Sequence, residues 1–223
     1  MSNRVIRRNW QFAVWLLLLA GLVSAARADE QVFADYNCAF TPPEGWQLKS
    51  DLPPLSGGKI VTAFRNADNT ELIMLVVPNA REAGPLDDRF VTNFEAGVES
   101  SGAGKRIWGK FVQAAGVRAY ESLRPVPANG KSLSSLGLTL LADGKTYELQ
   151  ALSAAGAADL EPDIQKSFAS FRFLKPPVVP AVPASGATES DKIGYQIGQY
   201  TGIALVVVVL VVLVARFSSG RKS

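Results

Sequence analysis

Leu72-Ile73-Met74-Leu75-Val76-Val77 is apolar at six consecutive positions. Successive side chains of a strand point to opposite faces. A strand that is apolar on both faces is covered on both sides, so this segment reads as the centre of a sheet. Working outward, Ile60 to Phe64 is its hairpin partner across the turn Asn66-Ala67-Asp68-Asn69. Further upstream, Tyr36 to Phe40 alternates large and small residues like a strand, Pro42-Pro43-Glu44-Gly45 stops it, and Trp46 to Lys49 restarts an extended piece. Pro53-Pro54 and Gly57-Gly58 mark a loop between that piece and the hairpin.

Downstream the period changes. Leu86, Phe90, Phe94 and Val98 recur every four residues with Val91 beside them, while Asp87, Asp88, Asn93, Glu95 and Glu99 take other faces. That is an amphipathic helix over Leu86–Ser101, its acidic start matched to the helix dipole and its end set by Gly102 and Gly104. Strands follow at Lys105–Val112 and Val117–Leu123, and Pro125, Pro127, Asn129 and Gly130 break the chain. Ser132–Leu141 and Thr146–Leu152 flank Asp143-Gly144, the signature of a type I′ hairpin turn. Asp159 is placed to cap a second helix carrying Pro162 near its start and Ile164, Phe168 and Phe171 on one face, with Phe171 to Leu174 as an extended end. Hairpins, a helix, more hairpins and a helix give an α+β fold, a mostly antiparallel sheet flanked by helices in an α/β/α sandwich.

Residues 36–174 resemble the PsbP-like family of small α/β/α sandwiches. The resemblance rests on Phe40-Thr41-Pro42-Pro43-Glu44-Gly45-Trp46, on Gly116-Val117-Arg118-Ala119-Tyr120 within the Trp108–Tyr120 strand pair, on Asp143-Gly144-Lys145-Thr146-Tyr147, and on Ser167-Phe168-Ala169-Ser170-Phe171-Arg172-Phe173. It implies a non-enzymatic accessory domain that binds another macromolecule or assists an assembly. It carries no binding residue onto this chain. A membrane anchor, read below, departs from the soluble photosystem subunits that give the family its name.

Both ends of the chain carry topology signals. Arg4, Arg7 and Arg8 precede the apolar stretch Phe12–Val23, and Ala26-Arg27-Ala28 supplies small residues for cleavage before Asp29, so residues 1–28 read as a signal peptide. At the other end, Ile203–Ala215 has no polar side-chain atom, and extension back to Tyr195 gives 21 uncharged residues, enough to span. Tyr195 and Tyr200 suit an interfacial aromatic belt. Arg216, Arg221 and Lys222 beyond the run, against Lys192 before it, place the tail in the cytoplasm. The expected plan is an exported domain (29–175), a proline-rich linker (176–192), a transmembrane helix (193–215) and a basic tail (216–223). Pro176 to Pro183 would hold the domain off the membrane by roughly 25 Å as polyproline II. A cleaved C-terminal sorting signal is the alternative use of the same pattern.

The net +3 divides along these borders: residues 29–191 hold 15 Lys+Arg and 20 Asp+Glu, hence −5, and the basic excess lies in the flanks. The exported part therefore offers no basic footprint for nucleic acid. The chain has no histidine and one cysteine, Cys38, which removes the Ser-His and Cys-His relays and most catalytic zinc sites, and forbids an intramolecular disulfide. Cys38 reads as a buried thiol. Gly102-Ala103-Gly104-Lys105 lacks the phosphate-loop spacing, and Asp87-Asp88 and Asp159/Glu161/Asp163 read as helix starts instead of metal ligands. Trp46 and Trp108 read as core or rim residues. No catalytic, cofactor or metal residue is assigned.

One pattern keeps a functional reading. Gly194, Gly198 and Gly202 repeat every four residues and would let a partner helix, from a second copy or another membrane protein, approach closely in the outer half of the bilayer. The sequence thus predicts a single-pass, extracytoplasmic interaction module bound to an envelope protein, periplasmic in a Gram-negative cell. A ligand-binding sensor coupled to helix pairing is the alternative; an envelope hydrolase is disfavoured by the missing histidine.

Overall fold

The computed structural model describes residues 29–52, 54–55, 57–79, 85–128, 131–180 and 188–219, with backbone alone at 128, 131, 188–191 and 208–219. The expected signal peptide lies outside the described residues. In chain order the strands are β1 (Gln31–Phe33), β2 (Cys38–Phe40), β3 (Gln47–Leu48), β4 (Gly58–Arg65), β5 (Glu71–Pro78), β6 (Trp108–Ala114), β7 (Val117–Ala128), β8 (Lys131–Ala142), β9 (Lys145–Ser153) and β10 (Arg172–Phe173). The helices are α1 (Asp88–Ser100), α2 (Pro162–Ala169) and α3 (Thr188–Ser219).

Seven strands form one antiparallel sheet in the order β3-β4-β5-β9-β8-β7-β6, and β1-β2-β10 form a small second sheet. Strand β5 is interior, as its composition requires: Leu72 to Val77 are each at most 7% exposed. Leu72, Met74 and Val76 meet Phe90, Val91, Phe94 and Val98 of α1, with Ile197 and Leu205 of α3 in the same core. Ile73, Leu75 and Val77 face a second core with Cys38 and Phe40 of β2, Ile164 and Phe168 of α2, and Phe171. The sheet therefore lies between α1 with α3 on one side and α2 with the small sheet on the other. Each fully buried large aliphatic or aromatic side chain contributes about 1.5–3 kcal/mol, so two such cores stabilise the body without a disulfide.

The turns follow their residues. Asp143 and Gly144 have φ of 53° and 66°, and Ala115 and Gly116 have φ of 52° and 79°. Asp87 caps α1 by accepting from the Phe90 N–H at 2.8 Å. Asp159 does not cap α2: it sits in a 3-10 turn, Ala158–Leu160, and Glu161 holds the N-cap position without a side-chain bond.

Two segments differ from the sequence reading. Strand β7 runs through Pro125 and Pro127, which were expected to break the chain. The β6–β7 ladder ends at Trp108↔Leu123 and β7 continues against β8 alone, with Pro125↔Ser134 and Pro127↔Ser132. The Pro125 carbonyl accepts from Gly104 N at 3.0 Å on the flank away from β8. Its nitrogen points to that same flank, so the missing N–H removes no ladder bond.

The second difference concerns the chain after residue 175. The proline-rich segment does not stand clear of the domain at its start: Val178 N donates to Asp143 Oδ1 and Asp143 N to the Val178 carbonyl, each at 2.8 Å. Residues 181–187 lie outside the described residues. Helix α3 begins at Thr188, before the expected boundary, and its residues up to Leu205 lie along α1 and the sheet, with Ile197, Ala204 and Leu205 at 0–1% exposure. The first half of the expected span is thus part of the folded body. Among the residues whose side chains are described, which in α3 end at Val207, no helix is long and apolar enough to cross a membrane.

Candidate functional site

The most unusual chemistry lies where α3 crosses α1 above the sheet. The crossing is built from small residues. A Cβ on Gly198 would land on the Phe94 carbonyl, one on Gly202 on Ser101 Oγ, and one on Gly97 of α1 on the Tyr195 carbonyl, while at Gly194 it would stand 3.1 Å from the Phe90 carbonyl. Gly194, Gly198 and Gly202 therefore share one face of α3, and α1 of the same chain occupies that face. Any other helix meeting it would have to displace α1. Tyr200, expected at a lipid interface, lies against Gly57, whose missing Cβ leaves room for the ring.

Polar and charged side chains lie buried beneath this crossing. Glu148 of β9 is fully buried. Its Oε1 is in hydrogen-bond contact with Thr201 Oγ1 of α3, and its Oε2 accepts from Gln150 Nε2 at 3.2 Å. Thr201 Oγ1 also lies 2.8 Å from the Ile197 carbonyl. A hydroxyl has one proton and here faces two acceptors. If Thr201 donates to its own helix, in the usual manner of a helical threonine, the contact with Glu148 requires a proton on the carboxyl. Burial pushes the same carboxyl in that direction, up to about 7, against smaller opposing effects from Thr201, Gln150 and the charge of Arg124.

Beside it, Arg124 of β7 donates from Nη2 to Glu95 Oε1 of α1 at 2.8 Å and to Ser122 Oγ at 3.1 Å, with both ion-pair side chains less than 10% exposed. Arg124 Nη1 and Glu95 Oε2 have no partner among the described residues. Tyr120 receives a hydrogen bond from Arg106 Nη1, and its hydroxyl is pushed up to about 12, first by burial and then by the Glu95 charge. The arrangement closes an ion pair, and a carboxyl whose protonated form burial favours, in the interior. It presents no nucleophile to solvent, and among the described residues no group of three acidic or thiol side chains is placed to hold a metal ion.

The remaining candidates are peripheral. Cys38 is a buried free thiol, pushed up to about 12 by desolvation. Trp46 and Trp108 are half-buried at the edge of the second core, with Lys110 Nζ 5.0 Å from the Trp108 ring centre. Open clefts of about 380 and 430 Å³ lie beside β4 (lined by Lys49, Leu52, Leu55 and Gly58 to Thr62) and between Thr41–Glu44 and α2, respectively.

No protein-family model and no curated protein sequence matches the chain. Solved structures do match. The solution structure of cyanobacterial PsbP from Synechocystis superposes with a TM-score of 0.52 at 15% identity, over 68% of this chain and 95% of that one. The fold is PsbP-like. Weaker matches are a protein of Bacteroides thetaiotaomicron (TM-score 0.43, 15% identity, 67% of this chain and 49% of that one) and LpqN, involved in cell envelope biogenesis of Mycobacterium tuberculosis (0.36, 16%, 60% and 82%).

In this PsbP-like body, the sequence reading missed Glu148, Arg124, Glu95 and Thr201. A signal was present. Thr146, Glu148 and Gln150 alternate with Tyr147, Leu149 and Ala151, and Tyr120, Ser122 and Arg124 alternate with Ala119, Glu121 and Leu123. Two strands therefore turn polar side chains toward the face that α1 covers with phenylalanines.

Proposed function

We propose that the protein is a non-catalytic, membrane-tethered extracytoplasmic module that acts by binding another protein of the cell envelope. The observation that carries this reading is the sealing of its titratable interior. Glu148 and Thr201 are 0% and 2% exposed and Arg124 is 3% exposed, so the shifted carboxyl of Glu148 is roofed by α3 at Thr201 and this polar cluster is closed to substrate. A surface that binds a macromolecule needs no such access.

The export and tether rest on sequence: the leader pattern of residues 1–28, the uncharged run 195–215 and the cations after it. The PsbP-like fold is compatible with an accessory role. The test is photo-crosslinking in native membranes from probes at exposed apolar positions such as Ile107 and Leu160, followed by identification of the adduct. A reproducible adduct with one envelope protein supports the module. Exclusively monomeric, uncrosslinked chain from every probe position removes it.

A further inference from the structure

Residues 193–205 are needed in two places. In the folded body they lie against α1, where Ile197, Gly198, Thr201, Gly202, Ala204 and Leu205 are buried and Thr201 meets Glu148. In the membrane tether, the proposed function on which this inference rests, the same residues form the first half of the uncharged run.

Length decides whether both demands can be met together. A hydrocarbon core is about 30 Å thick and a helix rises about 1.5 Å per residue. The run 195–215 at full length reaches about 31 Å and crosses. Counted from Val206, the first residue after the last fully buried one, to Ala215 it has ten residues and reaches about 15 Å, the middle of the core. Arg216 would follow there, at the depth where a charge is most costly. The docked helix therefore cannot also span.

We propose that α3 exchanges between two positions: docked on α1, with the basic tail on the domain's side of the membrane, and spanning, with residues 193–205 withdrawn from α1 into lipid. Each medium favours one position. In water, docking covers Phe90, Phe94 and Val98 and closes the glycine face. In lipid, the uncharged run is soluble without α1, and the glycine face is left open. Withdrawal also removes Thr201 from Glu148.

A crosslink separates the two positions. A Cβ on Gly194 would stand 3.4 Å from the Cβ of Asn93, close to the usual disulfide separation of about 3.5–4.5 Å. The full chain is expressed with Asn93→Cys, Gly194→Cys, Cys38→Ala and a tail reporter, Ser218→Cys. Spheroplasts are oxidised and treated with a membrane-impermeant maleimide. Linked and unlinked chains are then separated on a non-reducing gel, and label is read on the tryptic peptide 217–221. The expected result is at least tenfold more label on that peptide in the linked band, with Gly198→Leu abolishing the linked band.

Equal protection in both bands would show that the docked helix crosses the bilayer, overturning the exchange while leaving the tether intact. Equal labelling in both bands would remove the tether and the exchange together. Absence of a linked band without Gly198→Leu would show that docking does not occur in the membrane-bound chain, and would overturn the exchange alone. Persistence of the linked band with Gly198→Leu would overturn the docked geometry and the exchange built on it.

Discussion

Replacing Glu148 by Gln should alter how the body's stability depends on pH more than it alters stability at any one pH. The folded carboxyl titrates at about 7 instead of its ordinary 4.5, because burial disfavours its charged form. Between those values the unfolded chain has released the proton and the folded chain keeps it. Folding therefore takes up a proton in that window, and stability falls as pH rises through it. Below 4.5 both states are protonated and the contribution is fully present; above 7 both are ionised and the loss is complete. At about 1.4 kcal/mol per pH unit, the loss across the window is about 3 kcal/mol.

Glutamine can turn its amide N–H toward Thr201, in the donor role of the protonated carboxyl, and its carbonyl toward Gln150 Nε2, but it titrates nowhere. Any fixed cost of the replacement is the same at every pH. The assay is urea unfolding of both full chains in the same mild detergent from pH 5 to pH 8. The other carboxyls titrate in both chains and cancel. The variant should gain about 2–3 kcal/mol relative to the native chain between pH 5 and pH 8. A difference that stays flat over that range would mean Glu148 ionises like an exposed carboxyl, and the protonated contact with Thr201 would be wrong.

The remaining expectations concern the neighbouring packing and the thiol. Gly198→Ala places a methyl on the Phe94 carbonyl, an overpacking of about 2 kcal/mol that should lower the melting temperature by roughly 4–8 °C; an unchanged melt would mean α3 is not seated on α1. Arg124→Met strands Glu95 in the interior and should cost about 3–5 kcal/mol in urea unfolding, most of it recovered when Glu95→Leu is added; a double variant as unstable as the single one would contradict that cause. Cys38 should be inert to a thiol-exchange reagent at pH 8 and should react once guanidinium unfolds the chain, since its pKa of about 12 leaves almost no thiolate; rapid reaction of folded protein would place the thiol at the surface.

Strand β5 was legible because a run apolar on both faces has few homes in a fold with an antiparallel sheet. Helix α1 and the Asp143-Gly144 hairpin were legible because their signals are local: a four-residue period, and a turn that only certain residues enter cheaply. The course of β7 through Pro125 was not, since a proline is harmless only where a strand has a free flank, and the end of β6 is a fact about a different segment. The docking of α3 was hidden for a related reason. Hydropathy records that Ile197, Ala204 and Leu205 avoid water, and a protein core and a lipid chain satisfy that equally. Glycines spaced by four residues likewise announce a close neighbour without naming it. The buried cluster was written in the alternation of β9 and β7, but its meaning depended on knowing which face α1 would cover.

Strand β5 has its two neighbours at very different distances along the chain. Its hairpin partner β4 is joined to it by a short turn, whereas β9 lies across the register Glu71↔Ser153. As the polypeptide emerges during synthesis or export, β4 and β5 can pair at once. The opposite edge of β5, Leu72 to Val76, stays open until β9 arrives. Closing that long loop makes the sheet's centre a slow step in folding. An uncovered apolar edge during that interval is the point at which a holding chaperone would engage the nascent chain, or at which two unfinished chains would pair with each other.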